Sequence, residues 1–436
     1  MKYFSPRYLL SISILIWFIL KLIAPIEYNV ELSIKALMYL IINILFFYLG
    51  TYLYDVICFS YLKRSAKNCG DFICIKKINK AYNIIAFLAT LGIFLRFYDL
   101  IYLKSFFSYG SITNFRIYYI ESSTNLVSIL SAVLFPLCIV LLIIAINFKD
   151  KLSSCKLFYA ILAASTIFVY TILRGGRTTI TLVIIMVIAS AAISENIKIL
   201  DIKKFLLYFK IKKNSIKMIL DLIVVFLMFF AYSIRILISR LYEMGFTVET
   251  HLKYMETVRH LAINDYVWSI VESNDYLGYI VYTFISIMHY FIHGFYQFIL
   301  LFNYFDMDNM AYGAFQFYPI WKVLAALNLS NINKSFLDSI VETKGVYTTF
   351  WGPVLTDFGM FGFIYCFILG IIAESSWVKA TKRKVMHILL YPYIASVILH
   401  SPFLNMIQSG MGLYFLIAII LSGYIFKSVN FKVVYK

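Results

Sequence analysis

Charge is scarce in this sequence, and acidic residues are the scarcest charged residues. Only 22 of the 436 residues are Asp or Glu and 39 are Lys or Arg, so charged residues make up 14% of the chain. Soluble domains carry about 25% charged residues, and the composition therefore excludes an ordinary soluble enzyme. The six cysteines avoid the loops predicted below to face outward, which argues against disulfides. Cys69 and Cys74 also lack the partners of a zinc site.

Apolar residues, in contrast, are abundant and come in long runs. Hydrophobic residues make up 62% of the chain, and its mean hydropathy is +0.83. The runs suit membrane-spanning helices and lack the alternation of barrel strands. We therefore predict an all-α fold, a polytopic transmembrane helical bundle of about 10–12 spans. The confident spans are predicted at residues 8–24, 36–60, 81–103, 125–146, 157–173, 178–194, 218–238, 350–373, 388–404 and 411–426.

The distribution of the net charge of +17 indicates the topology. When the N-terminus and alternate loops are assigned to the cytoplasm, 25 of the 39 Lys and Arg residues fall in cytoplasmic loops and 12 in outward ones. Cytoplasmic loops are enriched in basic residues, so we predict that both termini are cytoplasmic. Because the basic residues follow the loops in this way, they do not indicate a nucleic-acid partner.

The region before the last three spans is constrained by this topology. Residues 1–436 are predicted to form one integral membrane domain, in which residues 239–349 are a large outward loop region. The span before this region leads out of the cytoplasm, and the span after it leads back in. The region itself must therefore cross the membrane an even number of times or not at all. The apolar segment 277–304 is therefore a re-entrant or membrane-surface helix, which we favour, or it pairs with a second crossing at 311–329.

Outward-facing arginines form one candidate site. The turn Arg174-Gly175-Gly176-Arg177 joins two spans on the outward side, where paired arginines are not expected. A guanidinium matches the geometry of phosphate, so the turn predicts binding of a pyrophosphate or another polyanion. The alternative is that these side chains only extend to the membrane interface. The other outward arginines assigned to this pyrophosphate site are Arg116, Arg235, Arg240 and Arg259.

Two histidines in the segment 277–304 are candidates for acid–base chemistry. His289 and His293 lie four residues apart and therefore share one helix face. A histidine titrates near neutrality, as a general base must. Hydrogen-bonded histidines on a buried face are the alternative interpretation. The sequence lacks the HExxH pattern around them, so we predict no metal site.

Acidic residues give weaker signals. Asp306-Met307-Asp308 has the form of the D-x-D motif of metal-dependent glycosyl transfer, but two solvated loop carboxylates are the favoured interpretation. Arg96 and Asp99, three residues apart in a predicted span, are interpreted as an internal ion pair. Neither pattern by itself defines a reaction.

The layout and two short motifs resemble the Wzy-type polymerases of O-antigen and capsular repeat units, which are related to the O-antigen ligases. The resemblance is carried by the many spans, the large outward region before the last three spans, the Gly-Arg turn at 175–177 and the corner at 357–362. In this corner Asp357, Gly359 and Gly362 match an acidic-x-Gly-x-x-Gly pattern.

This resemblance implies a membrane glycosyltransferase of GT-C-like architecture in the bacterial inner membrane. Such an enzyme transfers a growing glycan from undecaprenyl pyrophosphate to an incoming lipid-linked repeat, without a cofactor. The implied partners are the undecaprenyl-pyrophosphate-linked oligosaccharide, membrane lipid and a chain-length regulator protein. Arg177 would bind pyrophosphate and Asp357 would be catalytic. The ligases have a histidine at the position of Thr348, so His289 or His293 is the substitute candidate for the base.

The alternative function from another class is a lipid-linked oligosaccharide flippase. Transporters of this kind line a cavity inside the bilayer with charge and often contain two related halves. This sequence has few charges in the middle of its spans and no visible repeat. A membrane O-acyltransferase would require a catalytic His or Asp in a helical core, and no pattern indicates one. The sugars and the linkage are left open by the sequence.

Overall fold

The fold consists almost entirely of helices. The computed structural model describes residues 2–62, 75–110, 125–174, 178–194, 245–273, 275–326, 334–340, 347–408 and 411–429, with residues 114, 115, 118, 119, 176, 231, 234, 235, 237–239, 241–243 and 329. The helices of the first half are α1 Pro6–Ile23, α2 Ile34–Leu62, α3 Ile75–Tyr98, α4 Leu126–Leu134, α5 Leu137–Asn147, α6 Ser154–Leu173 and α7 Thr178–Ser194. Those of the second half are α8 Val248–Arg259, α9 Asp265–Ser273, α10 Asp275–Tyr304, α11 Tyr318–Ala326, α12 Lys334–Ile340, α13 Trp351–Phe358, α14 Gly362–Thr381, α15 Val385–His400 and α16 Gly412–Ser428. Strands β1 Ile26–Tyr28 and β2 Leu261–Ile263 pair antiparallel.

Many of these helices have the length and composition of membrane spans. Seven stretches in the described part of the chain qualify, namely Pro6–Ile23, Ile34–Ile57, Ile75–Leu103, Leu126–Asn147, Ser154–Leu173, Leu277–Tyr304 and Trp351–Thr381. The shorter helices α7, α15 and α16 are also apolar. An all-α bundle with several spans is therefore confirmed. The predicted span at 218–238 lies mostly outside the described residues.

Three of the predicted spans are interrupted, each for a local reason. The third continues from α3 into a π-helical turn, Asp99–Leu103, and such turns occur frequently at functional sites. The fourth breaks between α4 and α5 at Pro136, which has no N–H to donate. The segment that enters α14 breaks at Gly359, whose φ of +54° and ψ of −137° suit glycine alone.

The connections between helices gather at two opposite ends of the bundle. At one end Arg7 pairs with Asp55, so the start of α1 meets the end of α2. At this same end Arg383 donates to the carbonyl oxygen of Asn147 at 2.7 Å and to that of Ser194 at 3.0 Å, joining the ends of α5 and α7. We call this the lysine-rich end, because Lys149, Lys151, Lys382 and Lys384 follow α5 and α14 here. The described connections of the other set lie at the opposite end.

Helices α2 and α14 run parallel and pack very closely. The carbonyl of Phe367 lies against Gly50, and the carbonyl of Phe47 lies against Gly370. A methyl group at either glycine would overlap backbone atoms of the other helix. Small residues permit such an approach within a membrane, where van der Waals packing stabilises helix pairs. This close pair fixes the corner that leads into α14.

Helix α10 lies across the end of the bundle opposite the lysine-rich end. Its side chains contact Trp17 near the end of α1, Tyr28 in β1 and Tyr39 near the start of α2. Its Gly294 faces backbone atoms of the loops before α13 and after α15. These contacts all involve the same end of the bundle, and whether 277–304 crosses the membrane stays a prediction. Among the described residues of 311–329, the one helix is the nine-residue α11, which is too short to cross the membrane.

Candidate functional site

A histidine cluster lies where α10 crosses the end of the bundle. The rings of His289 and His293 stack with their centroids 4.7 Å apart. The Nδ1 of His293 lies 2.7 Å from the carbonyl oxygen of His289, which can only accept a hydrogen bond. His293 therefore carries its proton on Nδ1 when neutral, and its Nε2 holds the lone pair that a base or a ligand requires. The side chain is only 5% exposed, so the backbone bond fixes its orientation.

Tyrosines surround this histidine pair. The hydroxyl of Tyr28 forms a 2.8 Å hydrogen bond with Nδ1 of His289, and burial raises the pKa of the Tyr28 phenol. The rings of Tyr290 and Tyr347 lie 6.2 and 6.0 Å from that of His293. We refer to these five residues as the histidine cluster. Aromatic side chains with a few polar groups among them are typical of the lining of small-molecule sites.

The backbone beside the histidine cluster is strained. Thr349 has a φ of +61°, a conformation that is strongly unfavourable for a β-branched residue. It is held by a bridge to Leu404 and packs against Gly294, the residue that follows His293. Strained residues of this kind cluster at functional sites. The neighbouring Thr348, where the ligases have their histidine, therefore lies close to His293 without supplying a base itself.

An arginine–tyrosine stack lies at the same end of the bundle. The guanidinium of Arg174 lies 3.9 Å from the ring centroid of Tyr119 and 5.4 Å from that of Tyr170. The guanidinium of Arg96 lies 4.6 Å from the ring of Tyr170. Burial raises the pKa of the Tyr119 phenol, but the guanidiniums of Arg96 and Arg174 and a hydrogen bond with Tyr170 lower it, and this pKa lies below its ordinary value. The arrangement is thus strongly favourable for negative charge.

Arg96 and Asp99 do not form the internal ion pair that the sequence predicted. Asp99 accepts a 2.6 Å hydrogen bond from Ser128, and Arg96 donates to the hydroxyl of Ser131 at 3.2 Å. Each charge is thus bonded to a serine of α4, and the described contacts contain no direct ion pair between them. Among the described residues, Nε of Arg96 and one carboxylate oxygen of Asp99 have no hydrogen-bond partner. The sequence pattern i, i+3 gave no indication of this arrangement.

The turn between α6 and α7 connects the stack with the histidine cluster. Arg174, at the start of the turn, belongs to the stack, and Thr178, at its end, forms a 3.1 Å hydrogen bond with Tyr290 of the histidine cluster. The hydroxyl of Thr181 lies 3.1 Å from Nε2 of His400, a buried histidine that the sequence analysis missed. The structure therefore places Arg174 in the stack and Thr178, four residues later, against Tyr290 of the histidine cluster.

The remaining predicted arginines have different positions. Arg259, in the last turn of α8, is close enough to interact electrostatically with His289 and His293. Burial lowers the pKa of His251, and the charge of Arg259 lowers it further. Arg235 is exposed. The other predicted site residues, Arg116, Arg177 and Arg240, lie outside the described residues.

Asp357 is held by the backbone. Its side chain is 1% exposed, and its two carboxylate oxygens accept hydrogen bonds of 2.8 Å from the N–H groups of Phe315 and Gln316. The carboxylate therefore fixes the 311–317 segment against α13. These contacts support a positioning role, and they give the predicted catalytic role of Asp357 no support.

The Asp306-Met307-Asp308 segment forms a local turn. Asp306 accepts hydrogen bonds of 3.1 Å from the backbone N–H of Asp308 and from the side chain of Asn309. Among the described residues, no group of three or more His, Cys, Asp or Glu side chains is placed to hold a metal ion. The geometry of this segment is that of a loop cap.

Compared with protein-family models, with curated proteins and with solved structures, the chain gives no match. Its function must therefore be inferred from the site itself. Guanidiniums stacked on tyrosines, an oriented imidazole and a wall of aromatic rings meet at one end of an apolar helical bundle. This combination suits the binding of an anionic, membrane-anchored substrate and the removal of a proton beside it.

Proposed function

We propose that this protein polymerises undecaprenyl-pyrophosphate-linked oligosaccharide repeat units into O-antigen or capsular polysaccharide on the outer face of the bacterial inner membrane. One observation carries the proposal. The arginine–tyrosine stack and the histidine cluster lie on either side of one turn, through Arg174 and Thr178. A lipid-pyrophosphate glycosyltransferase needs cations for its leaving group and a base for its acceptor within reach of one reacting carbon.

In the proposed reaction, a hydroxyl of the incoming repeat attacks the anomeric carbon of the donor glycan. A glycosidic C–O bond forms as the C–O bond to the pyrophosphate breaks, and the bonding electron pair leaves with undecaprenyl pyrophosphate. Nε2 of His293 takes the hydroxyl proton. Arg174 and Arg177 stabilise the charge that develops on the leaving group, as preorganised donors do. Arg116, Arg235, Arg240 and Arg259 are proposed as further contacts of the anionic substrate.

The proposed position of the reaction also determines the donor. Nucleotide sugars are cytoplasmic, so a transferase at the outward face requires a lipid-linked donor. The proposed reaction requires no metal, because guanidiniums can stabilise the charge of the leaving pyrophosphate. In this proposal Asp357 holds the 311–317 segment in position beside the site, and His289 orients His293.

The experiment is a deletion strain combined with purified protein. Without a polymerase each repeat still crosses the membrane, so we expect surface glycan of one repeat in place of a ladder. Purified protein should lengthen lipid-linked repeats without nucleotide sugar or added divalent metal. A normal ladder in the deletion strain would remove the proposal. Single repeats stranded on the cytoplasmic leaflet would instead identify a flippase.

A further inference from the structure

The hydroxyl of Tyr28 is bonded to the ring of His289, and this contact decides which nitrogen of the ring carries the proton. The two bonded atoms, Oη of Tyr28 and Nδ1 of His289, are 2.8 Å apart. Tyr28 is 9% exposed, and in the described part of the chain its hydroxyl has no other hydrogen-bond partner. If Nδ1 carried a proton, the proton of this buried phenol would have no acceptor, which is costly. The phenol therefore donates to Nδ1, and neutral His289 carries its proton on Nε2.

The position of Tyr28 is fixed independently of His289. Strand β1 pairs Tyr28 with Leu261 of β2. The ring of Tyr28 also stacks on that of Tyr296, with the ring centroids 4.1 Å apart and an angle of 11° between the planes. The short sheet and α10 together thus hold the phenol, and the phenol in turn sets the tautomer of the histidine.

The two stacked histidines therefore have opposite tautomers. His293 carries its proton on Nδ1, because that atom faces the carbonyl oxygen of His289, so its Nε2 can accept a hydrogen bond. His289 accepts a hydrogen bond at Nδ1, so its Nε2 donates one. Among the described residues, neither Nε2 has a hydrogen-bond partner. The pair thus presents one donor and one acceptor, on rings whose centroids are 4.7 Å apart and whose planes differ by 24°.

This polarity suits one class of ligand. A carboxylate or an ionised phosphate can only accept hydrogen bonds and would leave the lone pair of His293 unpaired, whereas an ammonium group can only donate them. A hydroxyl group can do both, and a sugar carries several hydroxyls around one ring. An imidazole is small compared with the spacing of the two rings, so both Nε2 atoms lie within reach of one monosaccharide. The faces of Tyr290 and Tyr347 lie beside them.

We propose that His289 donates a hydrogen bond to the acceptor sugar while His293 takes the proton of the attacking hydroxyl, and that Tyr28 is the positioning residue that fixes these two roles. The inference rests on the proposed function and adds how the acceptor sugar is recognised. It also assigns the base to one of the two histidines that the sequence left as alternatives.

The tautomers are tested without substrate, by solid-state NMR of the protein in nanodiscs with ¹⁵N-labelled histidine. We expect the proton on Nε2 of His289 and on Nδ1 of His293, with His289→Gln and His293→Gln providing the assignments. Tyr28→Phe should shift His289 towards its other tautomer. The matched control is Tyr82→Phe, which removes a buried hydroxyl that donates to the carbonyl of Lys156 at 2.6 Å, and it should leave both rings unchanged. A proton on Nδ1 of His289 in the wild type would overturn the inference.

The recognition of the sugar is tested by glycan lengthening, with the concentration of the acceptor repeat varied. His289→Gln keeps an N–H donor, so we expect its KM and kcat to stay within about threefold of the wild type. His289→Leu lacks a donor and should raise KM for the acceptor about tenfold with little change in kcat, because one hydrogen bond to the sugar is lost.

Two kinetic outcomes would overturn the inference. A fall of kcat in His289→Gln as large as that in His293→Gln would make His289 the base. A wild-type KM in His289→Leu would remove its contact with the sugar. If wild-type protein lengthens no repeat, the proposed function fails and the recognition of the acceptor fails with it, whereas the spectra still decide the tautomers.

Discussion

At the scale of single residues, the candidate site depends on how two side chains are oriented. His293 is fixed by a backbone carbonyl and Arg174 by an aromatic ring. The carbonyl belongs to His289, the other histidine of the i, i+4 pair, whereas Tyr119 lies far from Arg174 in the sequence. Both leave the functional atoms of the side chain available, Nε2 in the imidazole and the N–H donors in the guanidinium. Substitutions at these positions should therefore affect the reaction more than the fold.

For the imidazole we expect His293→Ala to lower kcat by roughly 10²–10⁴-fold, the usual contribution of a positioned general base. His293→Gln should fail to the same degree, because an amide hydrogen-bonds but does not take a proton at neutral pH. The measurement is glycan lengthening by purified protein in nanodiscs.

The matched control is His260→Asn, since His260 is exposed and its φ of +54° is tolerated by asparagine. This variant should keep wild-type rates. Retention of full activity in His293→Gln would assign the base to another group.

For the guanidinium we expect Arg174→Ala to lower kcat by about 10²–10³-fold, because a preorganised donor to the leaving group is lost. Arg174→Lys should recover little of this, since an ammonium lacks the planar fork and stacks poorly on Tyr119. The measurement is the same lengthening assay, with membrane content of each variant checked by immunoblot.

Lys253→Ala is the control for Arg174, because Lys253 is an exposed cation of α8 that pairs with Glu249. It should leave the rate unchanged. Recovery of full activity in Arg174→Lys would show that a point charge is enough and that the stack has no specific role.

At the scale of elements, the corner between α13 and α14 depends on glycine. Gly359 has a backbone conformation that other residues avoid, and a methyl group there would lie 2.7 Å from the Cε of Met307. Gly362 faces the hydroxyl of Tyr39. The acidic-x-Gly-x-x-Gly pattern is thus explained by packing, whatever else it does. The corner holds the 311–317 segment through Asp357 and lies beside the end of α10.

We expect Gly359→Ala to destabilise the protein by roughly 1–3 kcal/mol from backbone strain alone, and further through the clash with Met307. The measurement is the midpoint of thermal unfolding in detergent. Gly110→Ala is the matched control, because Gly110 also has a positive φ of 59° but no heavy atom lies within 4 Å of an added methyl. The Gly110→Ala variant should lose only about 1 kcal/mol of stability. Equal losses in the two variants would show that the corner packing contributes nothing.

At the scale of the whole molecule, the arrangement of the two ends is decided by topology. Loops that alternate in sequence meet at opposite ends of the bundle, as the contacts of Arg383 and of Thr181 illustrate. Which end faces the cytoplasm is predicted from the basic residues. The predicted topology depends most on α10, because residues 305–340 would lie on the other side of the membrane if α10 crossed it.

We expect single cysteines introduced as Asn264→Cys and Asn309→Cys to react with an impermeant maleimide added to intact cells from the outer side. Asn264 precedes α10 and the exposed Asn309 follows it, so both react only if α10 does not cross. A separate variant that keeps only the native Cys155, which is exposed at the lysine-rich end, should react only after permeabilisation. Protection of position 309 together with labelling of position 264 would make α10 a true span.

The sequence by itself determined the class of fold and most of the spans. A spanning helix must form all of its backbone hydrogen bonds internally, and it needs an apolar run long enough to cross the membrane. The sequence also singled out Arg174, His289 and His293, since charge on the outward side and paired histidines are visible without a structure. It missed His400 and the role of Arg96. Those roles depend on Thr181 and Tyr170, which lie far away in sequence from their partners.

The tertiary structure alone decided what these residues do together. Helix packing brought Thr178 to Tyr290 of α10 and gave Asp357 two backbone partners. The physical reason is that a span is specified locally, by about 20 apolar residues, whereas a site is specified by contacts between spans. These contacts depend on small residues, on interruptions of helices and on the stacking of rings. An apolar run in the sequence does not specify any of the three.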